Sequence, residues 1–286
     1  MSLGIVAQRG NERAVALAGE IRTAVDPKEP VKIDTATASA LGIDGTEVAE
    51  LDSTDLVVSI GGDGTFLFTA RNVGSTPIVG VNLGEVGFLN AVSPNDAVNV
   101  ITSLVDDLQR DHLSLQVMPR LVAEYQGHQV GPALNEIVIC GPQRGRQHQI
   151  TLSMMVDGRE YTADTADGLL VATATGSTAY NLSEQGPLLM PTIDGLVVNV
   201  MCGRTGMPPL VIPPTATVEV VVSSNTTAFV IADGRLRQQL AGDSVTIEQA
   251  TTPVRIAGPP VEFFDALNKL DRAPRIPDIS PENGKS

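Results

Sequence analysis

The sequence predicts an α/β domain built on a parallel sheet, followed by a β-rich, sandwich-like domain. Three observations carry this. Up to about residue 110, short apolar runs alternate with segments whose apolar residues recur at helical spacing, the pattern of a parallel sheet covered on both faces. From His112 to about Ala257, short β-branched runs separated by Gly-containing turns take over. The chain has 286 residues, enough for two cores. The expected units are an α/β domain over 1–110, a β-rich domain over 111–257, and a C-terminal helix with a loose tail over 258–286.

In order, Leu3 to Ala7 predicts a buried strand. Ala14, Val15, Leu17, Ala18, Ile21 and Val25 recur at helical spacing. A short strand is expected at Val31 to Ile33, another at Leu56 to Ile60, and a helix at Phe66 to Val73. Pro77 to Asn82 predicts a strand. Ser93 and Pro94 have the types that cap and open a helix, and Val98, Ile101, Leu104, Val105 and Leu108 carry its apolar face to Leu108. Next come the strand signals LSLQV, RLVAEY, NEIVIC, ITLSMMV, TVEVVV, AFVIAD and DSVTIE. Gln126-Gly127, Asp157-Gly158, Asp233-Gly234 and Gly242-Asp243 supply turns. A last helix is expected over Glu262 to Leu270, and the proline-rich tail from Ala273 should be loose.

Composition narrows the function. Apolar residues make up 42%, with no tryptophan, so the core is Val, Leu, Ile and Ala. The formal charge is −14, and lysine occurs only at Lys28, Lys32, Lys269 and Lys285. Such a surface argues against nucleic acid, whose phosphates need a basic face. It suits high salt, where carboxylate repulsion is screened. Two cysteines exclude a disulfide framework, and His112, His128 and His148 show no ligand spacing. No membrane span or signal peptide is apparent, so a cytoplasmic protein is expected, with the sequons at Asn181 and Asn225 accidental.

Three segments carry chemistry. Gly61-Gly62-Asp63-Gly64-Thr65 follows a strand, at the carboxyl end where such sheets bind ligands. Glycines let backbone N–H groups approach phosphate, and Thr65 adds a hydroxyl. Asp63 would repel phosphate; it makes sense as the acceptor of a proton from an attacking hydroxyl, or beside a metal ion. No Gly-Lys-Ser/Thr follows, so this is not a Walker loop. The plainer reading is a Gly-rich turn. Second, the strand Leu169 to Ala172 runs into a small polar loop that ends at Tyr180, suited to a nucleoside. Tyr180 is either a stacking platform or a core ring. Third, Asn135-Glu136 pairs a carboxamide with a carboxylate, a combination able to grip vicinal hydroxyls.

In order along residues 55 to 250, SIGGDGTFLFTAR, PIVGVNLGEVGFLN, Asn135-Glu136 and DGLLVATATGSTAYNLS resemble the NAD kinases, which phosphorylate the 2′-hydroxyl of the adenosine ribose of NAD. The resemblance implies that Asp63 is the catalytic carboxylate and that Gly61, Gly62, Gly64 and Thr65 form the nucleotide loop. It implies that Asn135 and Glu136 hold ribose, and that Phe88 packs beside adenine with Thr175, Thr178 and Ala179 along its polar edge. Asp167 and Tyr180 would lie toward the nicotinamide half, and Arg71 would contact phosphate. It also implies ATP or polyphosphate as donor, Mg²⁺ or another divalent ion, and a homodimer or homotetramer in which a neighbouring subunit helps form the site. The chain departs from the family at Glu184-Gln185-Gly186-Pro187, and over Met201 to Pro213, where the usual histidine is missing. Two other readings remain open: a related kinase acting on a lipid or polyol, and a protein that binds NAD(P) without turnover.

Overall fold

The computed structural model describes residues 1–25, 29–84, 87–142, 149–223, 227–240 and 243–270. Lys28, His148, the Asn225 sequon, Gly242 of the last turn, Lys285 and the expected loose tail from Ala273 lie outside the described residues.

The chain begins β1 (Leu3–Ala7), α1 (Glu12–Val25), β2 (Val31–Ile33), α2 (Thr35–Leu41), β3 (Leu56–Gly61), α3 (Asp63–Asn72), β4 (Ile78–Asn82), α4 (Ala97–Gln109) and β5 (Leu115–Met118). Every residue of β1 and β3 is buried, as a strand covered on both faces requires. The two run parallel, with Leu3 opposite Leu56 and Ala7 opposite Ile60. One face of the sheet packs Ile5, Val58 and Val81 against Leu17 and Ile21 of α1 and Ile101 of α4. The other packs Val6, Val57 and Ile78 against Phe66 and Ala70 of α3.

The β-rich part runs β6 (Leu121–Tyr125), β7 (His128–Ala133), β8 (Glu136–Cys140), β9 (Ile150–Val156), β10 (Arg159–Ala166), β11 (Gly168–Thr173), the short helix α5 (Tyr180–Ser183), β12 (Leu196–Met201), β13 (Leu210–Ile212), β14 (Val218–Val222), β15 (Ala228–Ala232), β16 (Leu236–Leu240) and β17 (Asp243–Gln249). These strands form two six-stranded antiparallel sheets, ordered β10-β9-β14-β17-β6-β7 and β13-β12-β11-β8-β15-β16. Leu121, Ile150, Val218 and Val245 of one sheet pack against Ile137, Leu169, Val198 and Val230 of the other. This is the expected sandwich. Gln126-Gly127 and Asp157-Gly158 are two-residue hairpin loops with all four φ values between 48° and 75°, the left-handed pair that tight hairpins favour.

Strand allocation differs from the expected units. The chain ends with β18 (Val254–Ala257) and α6 (Phe263–Asn268). Both β5 and β18 fall within 111–257, yet they belong to the first sheet, ordered β2-β1-β3-β4-β18-β5. β18 runs parallel to β4 and antiparallel to β5. The sandwich is therefore an excursion between these two neighbouring strands. α3 begins at Asp63, three residues before the expected Phe66. α4 begins three residues after Pro94, because the Ser93 hydroxyl donates to the Asp96 carboxylate at 2.7 Å and closes a turn ahead of the helix. Among the described residues, no helix is long and apolar enough to cross a membrane.

Candidate active site

Asp63 is the first residue of α3, directly after the carboxyl end of β3. Its carboxylate accepts the backbone N–H groups of Phe88 at 2.9 Å and Leu89 at 3.2 Å, and the Asn90 side-chain amide at 2.9 Å. Burial pushes its pKa above the ordinary carboxylate value, and the three donors pull it part of the way back. A fixed carboxylate that holds a proton more readily than usual suits a general base.

The glycines around it differ in kind. A Cβ on Gly61 would strike the Thr65 hydroxyl and come within 3.1 Å of the Gln8 Cβ, so Gly61 is set by packing. A Cβ on Gly62 would meet nothing within 4 Å, and its φ of −94° suits any residue. Nothing in the protein itself demands a glycine there, whereas a phosphate laid on the exposed N–H groups would. Gly62, Gly64 and Thr65 form the floor of a cavity of about 420 Å³.

On the other side of Asp63, Phe88, Thr175, Thr178, Met118 and Phe263 enclose a second recess. Phe88 and Phe263 meet edge to face at 6.2 Å. This recess shares Phe88, Leu89, Met118 and Phe263 with a groove of about 430 Å³. The loop after β11 is fastened to Asn135. A Cβ on Gly176 would collide with the Asn135 carbonyl, and Thr173 donates its hydroxyl to the Leu134 carbonyl at 2.7 Å. Ala179 donates its N–H to the Gly176 carbonyl, which turns the chain so that the Tyr180 N–H reaches the Glu136 carboxylate. The Tyr180 ring packs against an apolar cluster that includes Val138, Leu170 and Ala172.

Glu136 is 5% exposed, and one of its carboxylate oxygens has no hydrogen-bond partner. Burial, reinforced by the nearby Asp233 charge, pushes its pKa up to about 8. Asp233 lies in the β15–β16 turn with φ 46°, and its carboxylate accepts the N–H groups of Leu134 at 2.9 Å, Asn135 at 2.8 Å and Glu136 at 3.3 Å. Burial raises the Asp233 pKa, while these N–H groups and the Arg71 charge oppose the rise. Arg71, expected at phosphate, thus stands beside Asp233, with two of its guanidinium nitrogens buried and without hydrogen bonds. Arg120, 3% exposed, donates to the carbonyls of Thr252 at 2.7 Å, Ala70 at 3.2 Å and Gly74 at 3.4 Å. It ties the C-terminal end of α3 to the segment that leads into β18 and favours the negative end of the helix dipole.

The structure thus links Asp63, Phe88, Thr175, Thr178, Ala179, Tyr180, Asn135 and Glu136 through contiguous contacts. Asp167 stands apart. It precedes Gly168, opposite Cys140, while Glu136 pairs with Ala172 at the other end of β11, roughly 15 Å away at the strand rise per residue. Asp167 therefore does not share a location with Tyr180. Asn90, Phe263 and Asp233 complete the site; Asn90 closes the motif PIVGVNLGEVGFLN and Asp233 opens an Asp-Gly turn, whereas Phe263 had no signal of its own.

The two divergent segments are both closely held. Asn181 donates to the Ser177 and Pro187 carbonyls, and a Cβ on Gly186 would strike its side chain. Asp164 accepts the Thr205 hydroxyl at 2.7 Å and the Arg204 N–H at 3.0 Å; burial raises its pKa, but its hydrogen bonds more than reverse that. Among the described residues, no three His, Cys, Asp or Glu side chains converge as a metal cage. Asp63 is the carboxylate within the glycine turn that a divalent ion there would face.

Comparison with known proteins agrees with this arrangement. The sequence profile of the ATP-NAD kinase N-terminal domain matches residues 4–108, and that of the C-terminal domain matches residues 134–257. An NAD kinase of Natronomonas pharaonis is 50% identical over 272 residues, covering 95% of this chain and all of that protein. One of Halorubrum lacusprofundi is 52% identical over 274 residues, covering 94% of this chain and all of that protein. Such relatives are mostly from halophilic archaea. An Archaeoglobus fulgidus NAD kinase solved with ATP superposes with a TM-score of 0.76 at 26% identity, covering 94% of this chain and 98% of that one. Yeast NADH kinase complexed with NADH shares the fold, with a TM-score of 0.83 at 20% identity, covering 96% of this chain and 89% of that one. Matched in both halves and at half-identity along nearly its whole length, this chain belongs to the NAD kinase family.

Proposed function

We propose that this NAD kinase transfers the terminal phosphoryl group of ATP to the 2′-hydroxyl of the adenosine ribose of NAD. The observation that carries this is Asp63, which follows Gly62 and precedes Gly64 of one cavity and accepts hydrogen bonds from Phe88 and Leu89 of another. One has a floor of open glycines suited to phosphate; the other is the groove of about 430 Å³ beside Phe88 and Phe263, which has room for an adenosine and adjoins the small recess at Thr175 and Thr178. The A. fulgidus relative solved with ATP supports ATP over polyphosphate.

In this reading Asn135 and Glu136 hold ribose and orient the hydroxyl. Asp63 accepts its proton as the hydroxyl oxygen forms a bond to the terminal phosphorus. The bond from that phosphorus to the bridging oxygen breaks, ADP leaves, and the proton passes from Asp63 to solvent. Such transfer needs alignment and charge neutralisation more than a strong base. A divalent ion carried on the phosphates would supply part of that neutralisation. Asp167, at the opposite end of β11 from Glu136 within one chain, fits a site completed by a second copy in a homo-oligomer.

Purified protein incubated with ATP, Mg²⁺ and NAD at low and at molar salt should yield NADP and ADP in equal amounts. No NADP at either salt would overturn the assignment of substrates.

A further inference from the structure

The cavity on the Gly62 side is built from both domains. The α/β part supplies Arg9, from the loop after β1, and the turn Gly62 to Thr65. The sandwich supplies Arg235, from the turn between β15 and β16. The Arg235 guanidinium passes over Gly64, with Nη2 3.6 Å from the position a Cβ on Gly64 would take. Both arginines are exposed, and neither side chain has a hydrogen bond or ion pair among the described residues. Asp34, the carboxylate in the wall, is engaged elsewhere: it accepts the N–H groups of Ala7, Ala36 and Thr37 at 3.0–3.2 Å. The far wall, of Val6, Val48 and Phe68, is apolar.

We infer that Arg9 and Arg235 clamp the phosphates of the donor, one from each domain, and that the apolar wall seats the donor's base. The cavity's ligand is thus a nucleoside triphosphate rather than bare polyphosphate. This rests on the proposed kinase function and extends it to residues outside the glycine loop. Guanidinium forks match phosphate oxygens, and two of them with the glycine backbone at Gly62 and Gly64 would grip a triphosphate from three sides. Arg235 also stands two residues after Asp233, whose carboxylate holds the N–H groups of Asn135 and Glu136. One turn therefore spans the donor and acceptor sides.

The test uses the full chain at fixed ionic strength, with Arg9→Ala, Arg235→Ala, Arg235→Lys and the double alanine variant. Each alanine should raise the Michaelis constant for ATP about tenfold, the usual worth of a charge-assisted hydrogen bond. The constant for NAD should change less than about twofold, since contacts to the acceptor are untouched. Arg235→Lys should recover part of the loss. By calorimetry without NAD, ATP should bind more tightly than inorganic tripolyphosphate, and the double variant should weaken both. Unchanged ATP constants and unchanged tripolyphosphate binding in the double variant would overturn the clamp. Equal losses for ATP and NAD, with a lower melting temperature, would overturn it in favour of a folding role. Tripolyphosphate binding as tight as ATP binding would overturn the seat for the base. If the wild type makes no NADP, the functional reading fails while the binding measurements still decide the clamp.

Discussion

Replacing Glu136 by glutamine should remove a pH-dependent loss of stability that the wild-type chain carries. Glu136 ionises near 4.5 in an unfolded chain and at about 8 in the folded one, because burial and Asp233 disfavour its charge. Below 4.5 both states hold the proton and there is no penalty. Between 4.5 and 8 the unfolded state gives up the proton while the folded state keeps it, so stability falls as pH rises. Above 8 the full cost is present. A difference of about 3.5 units at about 1.36 kcal/mol each sets a ceiling of about 4.8 kcal/mol. Relaxation around a buried charge brings the expected figure to about 2 kcal/mol. Glutamine keeps the acceptor for the Tyr180 N–H and carries no charge at any pH. Urea unfolding of both proteins at about pH 4 and about pH 8, in constant potassium chloride, isolates the effect. The other carboxylates are common to both proteins and largely cancel in the difference. The advantage of Glu136→Gln over wild type should grow by about 2 kcal/mol between the two pH values. A difference that stays flat would refute the account of Glu136 as a buried acid held protonated by its surroundings.

Asp63→Asn should lower turnover about 10²- to 10⁴-fold while sparing NAD affinity, because the amide keeps the shape but cannot take the ribose proton; activity near wild type would remove Asp63 from the mechanism. Gly61→Ala should cost about 1–3 kcal/mol through its collision with Thr65, read as a drop in melting temperature. Gly62→Ala should melt like wild type but raise the Michaelis constant for ATP, and the reverse pattern would reassign the two glycines. Molar potassium chloride should raise the melting temperature, since a chain of formal charge −14 repels itself at low salt. A flat or falling curve would count against salt adaptation.

Legibility followed burial only in part: β12, LVVNVM, is buried almost throughout and was still passed over. β1 and β3 were plain because both faces of the sheet are covered and every residue is apolar enough to be buried. β10 and β16 were missed because edge strands with polar sequences such as REYTADTA and LRQQL carry no apolar run. α2 was missed because TATASAL has small residues and no periodic face; the Asp34 cap holds it. β5 was legible as a strand but not as a member of the first sheet, because its partner β18 lies more than a hundred residues away. The site divides in the same way. Gly61 to Thr65 and Asn135-Glu136 are local motifs. Asn90 on Asp63, Phe263 on Phe88 and Arg235 over Gly64 are meetings of distant segments, and no short window contains them.

The position of β18 also bears on synthesis. A ribosome delivers β1 to β4 and their helices early, but the strand that covers β4 emerges only after the whole sandwich. Until then the Ile78 end of β4 is an unpaired edge, since Val92 covers only the Gly80–Asn82 end, and it is open to pairing with another nascent chain. Arg120 likewise waits for the Thr252 carbonyl before it can finish anchoring α3. The first domain to be made is therefore the last to be completed. A chain stopped before Val254 would release an intact sandwich beside a sheet lacking its closing strand.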